Sequence, residues 1–322
     1  MDGEPAGEGP HPVVRVSGQG TLAAFRRSLI QRWGGVSAPG WGGLEWSDWQ
    51  PLDRSQIKAF APHGPGVYRI RETGGTCLSY LGQTSRSLRT RLGTLRSELA
   101  REGGPFADPH VAAAYFWLLL TRDGKSFEFS CASLPGDKRH LRGHEDLLLW
   151  LHRVQTGRST PINYARFYPG FRAPTPTWIG AKAKGRRGRK TEPLSDDELA
   201  TVISDKQAPL LWTDGPIAEA PWWSGSVAAD EALTSLPQAP GVYGLFDPAL
   251  GDFLYFGESD LIRKRVAQHL KTFRHIEGLS IFYKKGRSPF SKNCRYEWEC
   301  DLLGNHYFNH RSPPEWQYRK HG

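Results

Sequence analysis

Hydrophobic and polar positions follow the same pattern twice along the chain. Residues 66–71 and 78–82 are two short runs rich in apolar and aromatic side chains, and a Gly-Gly turn separates them. The same arrangement recurs at residues 241–246 and 253–257, with a turn that contains Pro and Gly. Short runs of this kind around a tight turn predict one β-hairpin in each half of the chain.

A helical pattern follows each hairpin. Residues 87–100 place leucines at helical spacing, and residues 260–273 place large apolar side chains at the same spacing after Ser259, a good N-cap. A third strand is predicted at residues 127–133 in the first half and at 279–283 in the second.

A second helix is predicted to close each half, at residues 138–155 and 296–309. The resulting order of strand, strand, helix, strand and helix is typical of a small α+β unit. The first half is about 20 residues longer in its middle, where Asp108-Pro109 precedes an apolar run. Pro near the start of such a run predicts one inserted helix.

The repeat predicts two small tandem domains, at residues 61–170 and 237–322, each with a three-stranded antiparallel sheet flanked by helices. Residues 1–60 are predicted to be an N-terminal extension with a short helix at 21–33. Residues 171–236 are predicted to be a basic linker with a short helix of its own, capped at Ser195.

The charge balance favours a polyanionic partner. The 322 residues carry 42 Lys and Arg against 33 Asp and Glu, a formal net charge of +9. Four cysteines without a close pair argue against a disulfide scaffold. The longest apolar run is too short to cross a bilayer, and the acidic N-terminus does not resemble a signal peptide. We therefore expect a cytoplasmic protein, nucleoid-associated if prokaryotic, with no membrane contact and no evident protein partner.

The repeat also duplicates a set of reactive side chains. Each copy has a tyrosine on each of two strands, an arginine on the first helix and a glutamate on the second. A carboxylate can hold a hard divalent cation, an arginine can bind a phosphate, and a tyrosine near a cation can activate water. Together they could hydrolyse a phosphodiester with the help of a metal ion. The two sets are Tyr68, Tyr80, Arg91 and Glu145, and Tyr243, Tyr255, Arg265 and Glu299.

These motifs resemble those of the GIY-YIG endonucleases. Gly66-Val-Tyr68 with Tyr80-Leu-Gly82, and Gly241-Val-Tyr243 with Tyr255-Phe-Gly257, are similar to the paired signature of that family. The helix arginines and glutamates also follow its pattern. Because both tyrosine signatures, the arginine and the glutamate recur at matching spacing, the signal is far more specific than any one motif.

The resemblance implies DNA as the partner and one Mg²⁺ or Mn²⁺ in each site, held by Glu145 or Glu299. Water would attack in line, with one tyrosine as general base. The arginine and the other tyrosine would steady the phosphate. Which tyrosine is the base stays open.

The two copies depart from the family pattern in different ways. Many members carry a histidine one turn after the arginine, which copy two has as His269 and copy one replaces with Leu95. Many carry an asparagine beyond the second helix, which copy one has as Asn163 and copy two replaces with Pro314-Glu-Trp316. Arg89 is a weaker alternative for the arginine of copy one.

Two functions follow from these expectations. The first is a double-headed DNA endonuclease that nicks each strand with one domain, of the restriction or modification-sensing type or of the DNA-repair type. The alternative is a DNA-binding protein in which one or both copies are non-catalytic docking modules. A basic run could grip the phosphate backbone or be only a linker. It contains Lys182, Lys184, Arg186, Arg187, Arg189 and Lys190.

Two further groups of residues have ordinary structural interpretations. Several tryptophans ahead of the copies could stack on bases, but core packing is favoured. They are Trp41, Trp46, Trp49, Trp212, Trp222 and Trp223. The spacing of Cys294, Cys300, His306 and His310 is faintly like a zinc site, but buried thiols and a surface histidine pair are favoured.

Overall fold

The structure is a computed structural model that describes residues 20–100, 112–164, 207–273, 275–287 and 290–319. The predicted basic run at 182–190, the cap at Ser195 and the helix start at Asp108-Pro109 lie outside these ranges. None of the helices within them is long and apolar enough to span a membrane.

Copy one contains four strands and its helices follow the predicted order. The helices are α1 (Leu22–Trp33), α2 (Arg54–Phe60), α3 (Leu88–Leu99), α4 (Ala113–Thr121), α5 (Lys138–Thr156) and α6 (Pro161–Tyr164). The strands are β1 (Gln50–Pro51), β2 (Gly66–Glu72), β3 (Leu78–Thr84) and β4 (Phe127–Ser133). The inserted helix predicted from sequence is α4.

Copy two repeats the central part of this order. Its helices are α7 (Ala232–Ser235), α8 (Ile262–Phe273) and α9 (Lys292–His310). Its strands are β5 (Gly225–Ala228), β6 (Gly241–Asp247), β7 (Asp252–Ser259) and β8 (Ser280–Lys285). The α+β class is thus confirmed for the described residues.

Each copy is built on a four-stranded antiparallel sheet. The strand orders are β1-β4-β2-β3 and β5-β8-β6-β7. The three predicted strands are present in both, and the fourth is a short edge strand. A repeated serine fixes it, since the Ser47 and Ser224 backbone amides donate to the carbonyls of Cys131 and Tyr283. The Oγ atoms of these serines also accept from backbone amides of the same partner strands, those of Cys131 and Lys285.

The tryptophans ahead of the copies pack into the protein, as predicted. Trp41 and Trp46 are buried around the guanidinium of Arg69, which lies 4.3 Å from the centre of the Trp46 ring. Trp212 packs on Phe25 of α1 with ring centres 5.5 Å apart. Residues 20–60 therefore pack against both copies.

The two copies join through their second helices, α5 and α9, which run antiparallel. Gly143 and Gly304 allow the close approach, because a Cβ atom at either position would collide with the opposite helix. At Gly143 it would lie 2.5 Å from the Tyr307 ring, and at Gly304 it would lie 2.3 Å from Cβ of Trp150. The long helices therefore form the shared centre of the molecule.

A buried ion cluster ties this helix pair together. Nε of Arg153 on α5 lies 3.4 Å from Asp301 of α9, and its Nη1 lies 3.7 Å from Glu297. Both carboxylates also accept backbone amides from the segment that leads into copy two, Glu297 from Ala208 and Asp301 from Leu211. Arg153 is 3% exposed and the two acids 1% and 0%, so the charges depend on one another.

Candidate active site

The two tyrosines of each copy lie side by side on its hairpin. Tyr68 of β2 faces Gly82 of β3, and the ring centres of Tyr68 and Tyr80 are 5.9 Å apart. Gly82 makes room for the phenol, because a Cβ atom there would lie 2.6 Å from the Tyr68 hydroxyl oxygen. The Tyr-x-Gly spacing is therefore a packing requirement of the site.

Copy two repeats this geometry closely. Tyr243 faces Gly257, the ring centres of Tyr243 and Tyr255 are 6.2 Å apart, and a Cβ atom on Gly257 would lie 2.4 Å from the Tyr243 hydroxyl. The same hairpin thus presents two phenols at the same sheet position in both copies.

An arginine on the first helix of each copy lies next to the tyrosine pair of that copy. Arg91 lies beside Tyr68 and Tyr80, and Arg265 lies beside Tyr243 and Tyr255. The alternative, Arg89, instead donates from Nε to the carbonyl of Ala61 at 2.9 Å. Its counterpart Arg263 donates to the carbonyl of Leu236. Arg89 is therefore a structural residue that holds the start of the helix.

Glu145 and Glu299 occupy matching positions on α5 and α9, and both line one cleft of about 470 Å³ between the copies. The charge of each glutamate also raises the pKa of a tyrosine in its own copy. The antiparallel register sets Gly143 against Tyr307 and Trp150 against Gly304. With a rise of 1.5 Å per residue, the two glutamates are about 9 Å apart along the helix axes. The cleft also contains Tyr80, Gln83, Arg91, Arg142, Asn163, Tyr164, Tyr296, Cys300 and Tyr318.

A third acid, Asp146, lies between the two glutamates. Burial, and then the charges of Glu145 and Glu299, raise the pKa of the Asp146 carboxyl well above its usual range. The Tyr318 hydroxyl of copy two donates to its Oδ2 atom. Asp146 of copy one therefore links the two copies through a hydrogen bond, next to the glutamates that line the cleft.

The two sites differ in how open they are. In copy one, Phe116 of the inserted helix α4 packs edge-on against Tyr80 with ring centres 5.8 Å apart. Copy two has no equivalent helix among its described residues, and Arg265 is exposed. His269 fills the corresponding space there, with its ring 4.7 Å from that of Tyr255, where copy one has the buried Leu95.

Asn163 fixes the position of β3. Its Nδ2 atom donates to the carbonyl of Leu81 at 2.7 Å, and its Oδ1 atom accepts from the amide of the same residue at 2.9 Å. Since Leu81 follows Tyr80 directly, Asn163 holds that tyrosine in place. It is a positioning residue.

The sequence predicts that copy two lacks a counterpart of Asn163, but in the structure Gln317 occupies the equivalent position. Its Oε1 atom accepts from the amide of Phe256, the residue after Tyr255, at 3.1 Å. Sequence comparison missed this residue because it set Pro314-Glu-Trp316 against the Asn163 segment, one residue out of register. The constant offset of 154 between Glu145 and Glu299 would have identified Gln317.

Burial makes all four phenols poor acids in the protein alone. It raises the pKa of Tyr255 to about 12 and raises the pKa of Tyr68, Tyr80 and Tyr243 above the ordinary value. The adjacent arginine opposes this effect in each copy without cancelling it. A phenolate therefore forms at neutral pH only in a minor fraction of molecules.

The glutamates suit a hard divalent cation. Mg²⁺ is usually bound through one or two carboxylates, keeps several of its waters, and takes its remaining ligands from substrate phosphates. Glu145 and Glu299 are partly exposed to the cleft, which leaves room for such waters. The oxygen-only character of each carboxylate fits Mg²⁺ or Mn²⁺.

The Cys and His residues near the C-terminus do not form the faint zinc pattern seen in the sequence. Cys294 and Cys300 are buried in different clusters, and the Cys300 thiol contacts Asp146. The expected buried thiols are thus confirmed. The expected surface histidine pair is wrong for His306, which is 1% exposed because it packs between α9 and β7.

No family model matches this chain, and no curated protein matches it significantly.

The raised pKa values predict the pH dependence of any reaction that uses a phenolate. With pKa values above 10, the ionised fraction grows about tenfold per pH unit, so the single-turnover rate should rise through pH 7 to 9 without a plateau. Tyr68→Phe and Tyr243→Phe should each slow their own copy about 10²-fold.

Tyr115→Phe is the matched control. Burial raises the pKa of Tyr115 to about 12, but its hydroxyl belongs to neither set of tyrosines, arginine and glutamate. A rate independent of pH between 7 and 9 would exclude a tyrosine base. Full activity of the Tyr68→Phe, Tyr243→Phe double variant would move the role to Tyr80, Tyr255 or His269.

Proposed function

We propose that this protein is a metal-dependent DNA endonuclease with two hydrolytic centres in one chain. The observation that carries the proposal is the duplicated set of two tyrosines, one arginine and one glutamate, whose glutamates line the same cleft. Glu145 and Glu299 would each hold one Mg²⁺ or Mn²⁺, which would polarise the phosphate and lower the pKa of bound water.

The protein residues have separate tasks in this proposal. Arg91 and Arg265 would bind a non-bridging phosphate oxygen, for which a guanidinium is well suited. The phenols of each hairpin, held by Asn163 or Gln317 through the adjacent backbone, would orient the attacking water and accept its proton. The excess of basic residues would attract the polyanion.

The separation of the glutamates indicates where the two strands would be cut. About 9 Å along the helix axes corresponds to roughly three base-pair rises of 3.4 Å in a duplex. We therefore expect the two cuts to lie within a few base pairs of one another. Restriction or modification-sensing cleavage and repair cleavage both fit this geometry, and mapping on modified and unmodified DNA would separate them.

Conversion of supercoiled plasmid tests the proposed activity. The wild-type protein should produce nicked and then linear plasmid in Mg²⁺ or Mn²⁺ and should be inactive in chelator, with activity restored by excess metal. Binding of DNA without any cleavage would support the alternative of a docking module. Cleavage that continues in chelator would contradict the metal mechanism.

A further inference from the structure

Three side chains far apart in sequence meet where β7 begins and α9 ends. They are Asp252, His306 and His310, and their nearest nitrogen and oxygen atoms all lie within 4.8 Å of one another. His306 is 1% exposed, whereas the side chains of Asp252 and His310 are 33% and 44% exposed. The two imidazole rings stack nearly parallel, with centres 4.2 Å apart.

The contacts of the two His306 ring nitrogens cannot both be hydrogen bonds of a neutral imidazole. Its Nδ1 atom lies 3.1 Å from the carbonyl oxygen of Ser312, which can only accept, so Nδ1 carries a hydrogen. In a neutral ring Nε2 then has a lone pair. That lone pair points at the Asp252 carboxylate oxygens, at 3.1 and 3.3 Å, which are also acceptors. Two acceptors at this distance need a positive centre between them or a second proton on the ring.

Copy one shows what the same histidine does without this conflict. His152 matches His306, and its Nδ1 atom likewise faces a backbone carbonyl, that of Arg158. Its Nε2 atom, however, accepts from the amide of Leu78 at 3.2 Å. A neutral ring satisfies both contacts, and burial lowers the pKa of His152 to about 4.

The other two residues of the cluster are also specific to copy two. The strand register places Cys77 of copy one where copy two has Asp252. Thr156 stands where copy two has His310, and its hydroxyl donates to the backbone carbonyl of His152. Copy two therefore differs from copy one by gaining a carboxylate and an imidazole around one shared histidine.

We propose that Asp252, His306 and His310 form a binding site for a zinc-like divalent cation. Zn²⁺ binds imidazole nitrogen and carboxylate oxygen at about 2.0–2.2 Å, which separates tetrahedral ligand atoms by about 3.3 Å. The carboxylate oxygens of Asp252 lie 3.1 Å from Nε2 of His306 and 3.5 Å from Nδ1 of His310. The Ser312 carbonyl fixes the ring of His306 from behind, as outer partners of zinc-bound histidines do.

The site is chemically distinct from the glutamates in the cleft. Two imidazoles favour Zn²⁺ or a similar transition metal over Mg²⁺. Three protein ligands leave a fourth position for water, consistent with the partial exposure of Asp252 and His310. The ion would join the start of β7 to the end of α9, and so would brace the two elements that carry Tyr255 and Glu299.

Zinc titration of the full chain tests the site. Calorimetric titration with Zn²⁺ is to be carried out in a large excess of Mg²⁺, which competes for the oxygen ligands of the cleft glutamates but not for the imidazoles. The wild-type protein should bind one Zn²⁺ at this site, and Asp252→Asn, His310→Ala and His306→Gln should each weaken it at least about 10²-fold. Zn²⁺ should raise the melting temperature of the wild type and of the His152→Gln control, but not that of the three variants.

His140 and His144 on α5, which share the Tyr307 hydroxyl, provide the second control. Their replacement by Gln should leave zinc binding unchanged. If His306→Gln does not fold, the variants at the partly exposed Asp252 and His310 still test the proposal. Absence of saturable zinc binding in the wild type, or equal binding in Asp252→Asn and His310→Ala, would overturn the proposal and leave a protonated His306 paired with Asp252.

Discussion

Under the proposed function, Glu145→Gln and Glu299→Gln should each leave a protein that cuts only one strand of a duplex. Loss of the carboxylate proposed to hold the metal of one copy would remove several kcal/mol of transition-state stabilisation, about 10³-fold or more in the rate of that copy. The other copy keeps its own tyrosines, arginine and glutamate, so it should continue to cut. Plasmid assays should therefore show accumulation of the nicked form with little linear product.

Strand-specific labels make this prediction sharper. With each strand of a duplex labelled separately, the two variants should cut opposite strands. Glu277→Gln removes an exposed carboxylate between α8 and β8 and should behave as the wild type. If Glu299→Gln linearises plasmid at the wild-type rate, copy two is a docking module and only copy one is catalytic.

Arg153→Met should destabilise the protein by about 3–5 kcal/mol, the usual cost of removing one partner from a buried ion pair. Glu297 and Asp301 would lose their shared cation, and both are almost fully buried. Denaturant unfolding measures the change. Arg319→Met, which removes an exposed pair with Glu315, should cost less than about 1 kcal/mol.

The loss of stability in Arg153→Met should also depend on pH. Burial raises the pKa of Asp301 to about 7, so the native state holds a proton that the unfolded chain releases near pH 4. Stability from this group is therefore present at low pH and declines as pH rises from about 4 to 7. Without Arg153, whose charge lowers the pKa of Asp301, the decline should continue to higher pH. Adding Glu297→Gln and Asp301→Asn should recover part of the stability, and failure to do so would show that Arg153 acts by packing alone.

The two hairpins could be predicted, and so could the residue types in each set of two tyrosines, one arginine and one glutamate, because local sequence patterns determine them. Tyr68 and Tyr80 lie 12 residues apart in a hairpin with a short turn, which leaves few possible registers. Leucine periodicity predicted α3 to within one residue at each end, and in the structure Ser87 caps this helix. Such signals involve neighbours in sequence.

The joining of the two copies could not be predicted in the same way. It depends on Gly143 and Gly304, which in sequence are only weak helix formers, and on Arg153, which in sequence is one more basic residue on a helix. Gln317 escaped notice because its side chain is one methylene longer than that of Asn163 and its segment was compared out of register. Asp252 joins His306 only through the pairing of β7 with α9, 54 residues apart.

The most direct test of the two-centre account is cleavage by the Glu145→Gln, Glu299→Gln double variant, measured together with its affinity for DNA. The account predicts that the double variant cuts neither strand in Mg²⁺ or Mn²⁺, with at least about a 10³-fold lower rate, while it binds DNA as tightly as the wild type at the same salt concentration. Cleavage of either strand at the wild-type rate would show that the chemistry lies elsewhere in the molecule.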